Sequence, residues 1–145
     1  MKGQINFIKT LILIIIAGFS MAFIEESKGK AKLIFLHERA FWGAKVKIKI
    51  NNERIIDLPN NRYCEIEINE GNLELIVDRD NSINTKDKPE IQSTLLAESD
   101  EVYYLKIYRE VDYFTDKLYL VRVSEQTAKK AMKSMKLEKF PIDNE

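Results

Sequence analysis

The sequence predicts an all-β fold, an antiparallel β-sandwich with a short C-terminal α-helix, preceded by an N-terminal signal segment. Three observations carry that expectation. Apolar and charged residues alternate with period two from Val46 to Val77; Asn, Pro and Gly punctuate the run at short intervals; and about eight strand-like segments fit between Ala31 and Val123. The chain has 145 residues, enough for one domain with a modest core.

Leu11–Ile24, LILIIIAGFSMAFI, is an uncharged apolar run of 14 residues behind Lys2 and Lys9. A spanning helix needs about 20 such residues, so the run reads as the h-region of a secretory signal. Ser20 and Ala22 place small side chains ahead of a cut between Ala22 and Phe23. The competing reading is an uncleaved anchor in the inner membrane, lengthened by Phe23 and Ile24 and preceded by Ile5, Phe7 and Ile8. In both, the basic flank stays in the cytoplasm and the domain is exported to the periplasm or cell envelope. No cysteine closes the h-region, so the lipobox of a bacterial lipoprotein is absent. The expected division is 1–22 signal peptide, 23–30 tether, 31–140 sandwich with its helix, and 141–145 frayed tail.

The tether is polar and contains Gly29, which favours flexibility. Leu33–His37 is the first strand, and Glu38–Ala44 is irregular, with Phe41 and Trp42 expected to cover an open end of the core. Lys45–Ile50 and Arg54–Leu58 form a hairpin in which Asn51 and Asn52 supply positive φ. After a turn at Pro59, Asn60 and Asn61, Tyr63–Ile68 and Leu73–Val77 read as a second hairpin through Asn69, Glu70 and an αL Gly71. The whole run therefore predicts a β-meander. Asp78–Pro89 has no periodicity and is the one long loop. Ile91–Ala97, Val102–Arg109 and Leu118–Val123 complete the strands, with loops at Glu98–Glu101 and Glu110–Asp116.

Ser124 is a good N-cap, Glu125 complements the helix dipole, and Ala128, Ala131, Met132 and Met135 recur at helical spacing, which predicts a helix to about Leu137. Lys129, Lys130, Lys133, Lys136 and Lys139 occupy its other faces. An interfacial helix wants bulky insertion groups, and two of the four stripe residues are alanines. The helix is therefore expected to pack on the sandwich with a solvated lysine face rather than to lie on an anionic membrane.

Composition excludes more than it assigns. Basic and acidic residues balance at 23 each, and the chain after Ala22 carries 21 and 23, so no global field favours nucleic acid. His37 is the only histidine, which rules out a multi-histidine metal site within one chain; at a strand end it is expected to be solvated or bonded to backbone. No serine sits in a Gly-x-Ser-x-Gly turn. Asp78, Asp80 and Ser82 copy the start of a calcium loop, but Ile83 and Pro89 stand where Gly and Glu belong, leaving at most an irregular site between Asp78 and Pro89. Cys64, the only cysteine, is in phase with Ile66 and Ile68 and reads as a small buried hydrophobe. Glu65 and Glu67 share the opposite face and are expected to pair across strands with Lys45, Lys47 or Lys49. Among the tyrosines at 103, 104, 108, 113 and 119, Tyr103 is in phase with Leu105 and Ile107 and reads as core. Tyr104 and Tyr108 take the opposite phase and are the contact candidates.

The stretch from Ala31 to about Leu137 resembles the bacterial family called domain of unknown function 2846. The resemblance is carried by AKLIFLHERAFWGAKVKIKI, NNERIIDLPNNRYCEIEI, NEGNLEL, VYYLKIYR and LYLVRVSEQTAKKAMKSMK. The central part is also similar to surface-layer-associated PEGA repeats. Both resemblances imply a small prealbumin-like or immunoglobulin-like sandwich on exported proteins, without enzymatic activity and without catalytic, cofactor or metal residues to carry over. The chain departs from the usual Gly-Lys or Pro-Gly turns at Asn52–Glu53 and Asn69–Glu70, and it lacks the lipobox common among such modules.

The resulting expectation is a non-catalytic binding module of the bacterial envelope, without cofactor, whose partner is an envelope protein or glycan. Membrane contact is expected only through the N-terminal segment. The alternative is a carrier of a small hydrophobic ligand in a cavity at the Phe41/Trp42 end. An envelope hydrolase around His37 is the weakest reading.

Overall fold

A computed structural model describes residues 29–40, 45–79 and 90–139. The leader 1–22, the tether up to residue 28, Phe41 and Trp42, the loop from Asp80 to Pro89 and the tail 141–145 lie outside the described residues, and so do the expectations placed on them.

The chain is an all-β sandwich with a short C-terminal helix. Its strands are β1 (Lys30–His37), β2 (Val46–Ile50), β3 (Arg54–Leu58), β4 (Arg62–Asn69), β5 (Gly71–Arg79), β6 (Ile91–Ala97), β7 (Val102–Val111), β8 (Asp116–Arg122) and β9 (Lys136–Leu137), with helix α1 (Glu125–Met132) between the last two. One sheet has the order β8-β7-β1-β4-β9 and the other β3-β2-β5-β6. The second sheet is antiparallel throughout, whereas the first mixes senses: β1 runs parallel to β7, and β4 parallel to β9. The parallel β1–β7 pair needs a long connection, and the whole second sheet lies within it.

Alternation puts one face of each strand into a shared core. Leu33 and Phe35 on β1, Ile48 on β2, Cys64 and Ile66 on β4, Leu75 and Val77 on β5, and Leu105 and Ile107 on β7 are all buried there. Cys64 and Tyr103 take the core positions expected from their phase. Burial of this kind contributes about 1.5–3 kcal/mol per large aliphatic side chain relative to an exposed one.

The meander expectation is overturned. Within Val46–Val77 it is β2 and β3 alone that form a hairpin, closed by Asn51 and Asn52 at φ 52° and 59° with the Glu53 N–H donating to the Ile50 carbonyl at 3.1 Å. β4 and β5 do not pair; β4 ladders with β1, and β5 with β2 and β6. The segment Asn69–Gly71 is a corner between sheets, and Gly71 sits at φ +133°, positive but outside the αL well. Pro59–Asn61 is the matching corner from β3 to β4, where the Asn60 amide bonds both the N–H and the carbonyl of Ala40 at 2.9 Å.

Several boundaries also differ from expectation, and β7 running on to Val111 with β8 starting at Asp116 shortens the expected Glu110–Asp116 loop. Gly29 is packed rather than part of a flexible tether: its carbonyl accepts from the Glu70 N–H at 2.8 Å, and a Cβ there would collide with the Ser99 side chain. β5 continues through Asp78 and Arg79, both of which the sequence assigns to the long loop. α1 stops at Met132 instead of near Leu137, because the chain turns through Ser134 and β9 takes up the free edge of β4, with the Glu138 N–H donating to the Tyr63 carbonyl at 2.8 Å. Met135 still packs against the sheet, although it lies beyond the helix.

The helix packs as expected. Ser124 caps it by accepting from the Thr127 N–H at 3.3 Å, and Ala128 is fully buried against Ile34 and Leu36 on the outer face of the five-stranded sheet. Lys129, Lys130 and Lys133 face solvent.

Candidate functional site

The β7–β8 ribbon gathers the surface chemistry of the molecule. Tyr103, Leu105 and Ile107 of β7 and Leu118 of β8 point into the core, which turns Lys106, Tyr108 and Tyr119 outward. Tyr108 and Tyr119 are direct cross-strand partners, and their rings stack with centroids 5.1 Å apart and an interplanar angle of 16°. Lys106 Nζ lies 5.2 Å from the Tyr108 ring centroid and 2.9 Å from the Glu38 carboxylate. Partial desolvation, and then the adjacent Glu110 carboxylate, push the Tyr119 hydroxyl above its ordinary pKa.

Where the ribbon outruns the core, its inward positions become charged. The Arg109 guanidinium grips the Asp116 carboxylate through Nε at 2.5 Å and through a second nitrogen. Arg79, from the opposite sheet, donates through Nη1 to Asp116 Oδ2 at 2.7 Å and through Nη2 to the Asp116 carbonyl at 3.0 Å, and the same Nη2 meets the Glu90 carboxylate. Arg79 Nε is buried and makes no hydrogen bond among the described residues. The hydrogen bond from Arg109, with the charge of Arg79 behind it, holds the Asp116 carboxyl below the usual carboxylate range. Two arginines from different sheets on one carboxylate lock the ribbon to the sandwich.

Beyond the lock, the Asp112 N–H donates to the Thr115 carbonyl at 2.8 Å and closes the hairpin. Its tip presents Tyr113 and Phe114, 97% and 96% exposed, beside Val111 at 64%. Single exposed apolar residues are ordinary; two adjacent aromatics almost fully in water at a pinned tip are not.

Other sequence candidates fall elsewhere. Tyr104 is not a free contact residue, because α1 covers it: it is half-buried with Tyr63, Val123 and Met132 around Ile34 and Leu36. Tyr108 does stay on the outer face, stacked on Tyr119. His37 takes the backbone-bonded of its two expected states: it is 3% exposed, with Nδ1 donating to the Leu58 carbonyl at 3.1 Å, and burial lowers its pKa. Glu65 pairs with Lys32 at 3.7 Å and Lys45 with Asp57 at 3.7 Å. The expected pairing of Glu65 and Glu67 with Lys45, Lys47 and Lys49 fails because β4 and β2 belong to different sheets. Asp78 Oδ1 accepts from the Glu90 N–H at 2.8 Å, which engages the first oxygen of the calcium-like Asp78, Asp80, Ser82 spacing in a backbone bond. Among the described residues, no group of three His, Cys, Asp or Glu side chains is placed to hold a metal ion.

Sequence reasoning missed the ion cluster and Phe114. Arg79, Arg109 and Asp116 form no local motif, and only the pairing of sheets brings them together. The tip did carry a signal: Asp112-Tyr-Phe-Thr-Asp116 puts two aromatics inside a loop too short to reach a core. Comparison with protein-family models, with curated proteins and with solved structures finds no match to this chain.

Proposed function

We propose that the chain is an exported, non-catalytic binding module of the bacterial cell envelope, which engages an envelope protein or glycan through the tip and outer face of the β7–β8 ribbon. The observation that carries this reading is the nearly complete exposure of Tyr113 and Phe114 on a hairpin pinned by Arg79, Arg109 and Asp116. Burying each ring against a partner would contribute about 1.5–3 kcal/mol, and the pinned hairpin lowers the ordering cost of doing so. The Tyr108–Tyr119 stack extends the same surface down the ribbon. Export rests on the apolar run Leu11–Ile24 behind Lys2 and Lys9. Kinship with the domain of unknown function 2846 and with PEGA repeats belongs to the same proposal and is supported by the sandwich itself.

The polarity of the molecule supports a target other than the membrane that receives the leader. The described chain enters at Gly29, at the pole of the Asn69–Gly71 corner and the Glu98–Glu101 turn, whereas the tip lies at the opposite end of β7, about 30 Å away for a strand of that length. The carrier reading rests on Phe41 and Trp42, which lie outside the described residues.

Co-sedimentation with isolated murein sacculi and with envelope membranes tests the proposal. The wild-type chain is expected to sediment with one of them, and Tyr113→Ser with Phe114→Ser to lose at least about tenfold in affinity with an unchanged circular dichroism spectrum. Equal retention of both chains would overturn the ribbon as the contact surface.

A further inference from the structure

The two sheets have four edges, and three are guarded against pairing with another strand. β3 carries Asp57 and runs into Pro59, β8 carries Asp116, Lys117 and Arg122, and β9 is two residues long with Lys136 in it. β6 is different. Its seven residues, IQSTLLA, include no charge, no proline and no glycine, and among the described residues it pairs only with β5. Alternate N–H and C=O groups along its outer side therefore have no ladder partner among the described residues. Gln92, Ser93, Thr94 and Leu96 are exposed, and Ile91 and Leu95 are half-buried on the inner face of the same strand.

Charge at the two ends of β6 selects the occupant. Glu90 precedes the strand, and Glu98, Asp100 and Glu101, all exposed, follow it. A second copy fits poorly: antiparallel pairing centred on Thr94 brings Glu90, already held by Arg79, beside the Glu98 of the other copy and gives that Glu98 no basic partner, and parallel pairing sets Glu98, Asp100 and Glu101 against themselves. A strand with lysine or arginine beside the Glu98–Glu101 turn meets complementary charge.

We infer that β6 accepts an extended segment of another protein by strand addition to the four-stranded sheet. The segment is uncharged and alternating through its centre and basic where it passes Glu98–Glu101. Backbone hydrogen bonds supply affinity, and the acidic turn sets orientation. The inference uses the edge opposite β3 and stands whether or not the ribbon tip is a contact surface.

The probe is a short synthetic peptide of alternating threonine and valine with two lysines at one end, titrated into the full chain and followed by amide chemical shifts and hydrogen exchange. The expected result is saturable movement of signals from Ile91 to Ala97 with slowed exchange of alternate amides. Binding should fall about tenfold when the lysines are replaced by glutamates, and likewise when Thr94→Lys and Leu96→Lys are introduced on the edge. Tyr113→Ser with Phe114→Ser should leave it unchanged, which separates this site from the ribbon. Four results would overturn the inference: unmoved β6 signals at millimolar peptide, equal binding of a peptide N-methylated along its pairing edge, equal binding of the glutamate peptide, or a dimer of the chain alone that Thr94→Lys dissolves.

Discussion

His37 and Asp116 each make stability depend on pH, and they act in different windows. Burial disfavours the imidazolium of His37, so it titrates below 6.5 in the folded chain. As pH falls the unfolded chain takes up that proton first. The stability owed to neutral His37 is thus complete above 6.5 and is lost as pH falls through that value toward the lowered one. Urea unfolding between about pH 7.5 and pH 5 should show a midpoint falling with pH in the wild type and a flatter profile in His37→Gln. Asp116, whose carboxyl is lowered chiefly by the Arg109 hydrogen bond, contributes above its ordinary value of 3.8, and that contribution is lost as pH falls below it. The cluster is solvent-screened, so Asp116→Asn should cost about 1 kcal/mol or less in low-salt urea unfolding, with the difference shrinking as salt is added.

At the level of elements, the strands were legible because period-two alternation reports burial directly, and Leu33, Ile48, Cys64, Leu75 and Leu105 all point where the alternation puts them. Their partners were not legible. Asn51–Asn52 closes a hairpin and Asn69–Gly71 turns a corner between sheets, yet both are written in the same Asn and Gly residues. A strand that leaves one sheet for the other keeps its inward face on the same core, so the alternation passes through the corner unbroken. The helix end misled for a related reason: Met135 continues the apolar stripe by packing from a turn, and β9 answers the free edge of β4, which no local pattern announces. The ribbon was half legible, since Tyr108 faces outward as its phase requires while α1 covers Tyr104. Two substitutions probe these joints by urea unfolding. Gly71→Ala meets no atom within 4 Å, so its cost is that of a backbone at φ +133°, about 1–3 kcal/mol. Ser124→Ala removes the bond to the Thr127 N–H and should cost about 1 kcal/mol.

For the molecule as a whole, the crossing of the chain from sheet to sheet sorts the surface. It leaves β6 and β8 as neighbouring edges and carries the ribbon past the core, so that Arg79 of one sheet can close on Asp116 of the other. The proposed contacts at Tyr113, at Phe114 and along β6 all depend on that crossing. Cross-strand nuclear Overhauser effects between backbone protons test it most directly. The two-sheet account predicts contacts of Leu33 with Ile66 and of Leu73 with Leu95, and none between Ile68 and Asn72 or between Ile66 and Glu74. Strong Ile68–Asn72 and Ile66–Glu74 contacts would put β4 and β5 in one hairpin and contradict the account.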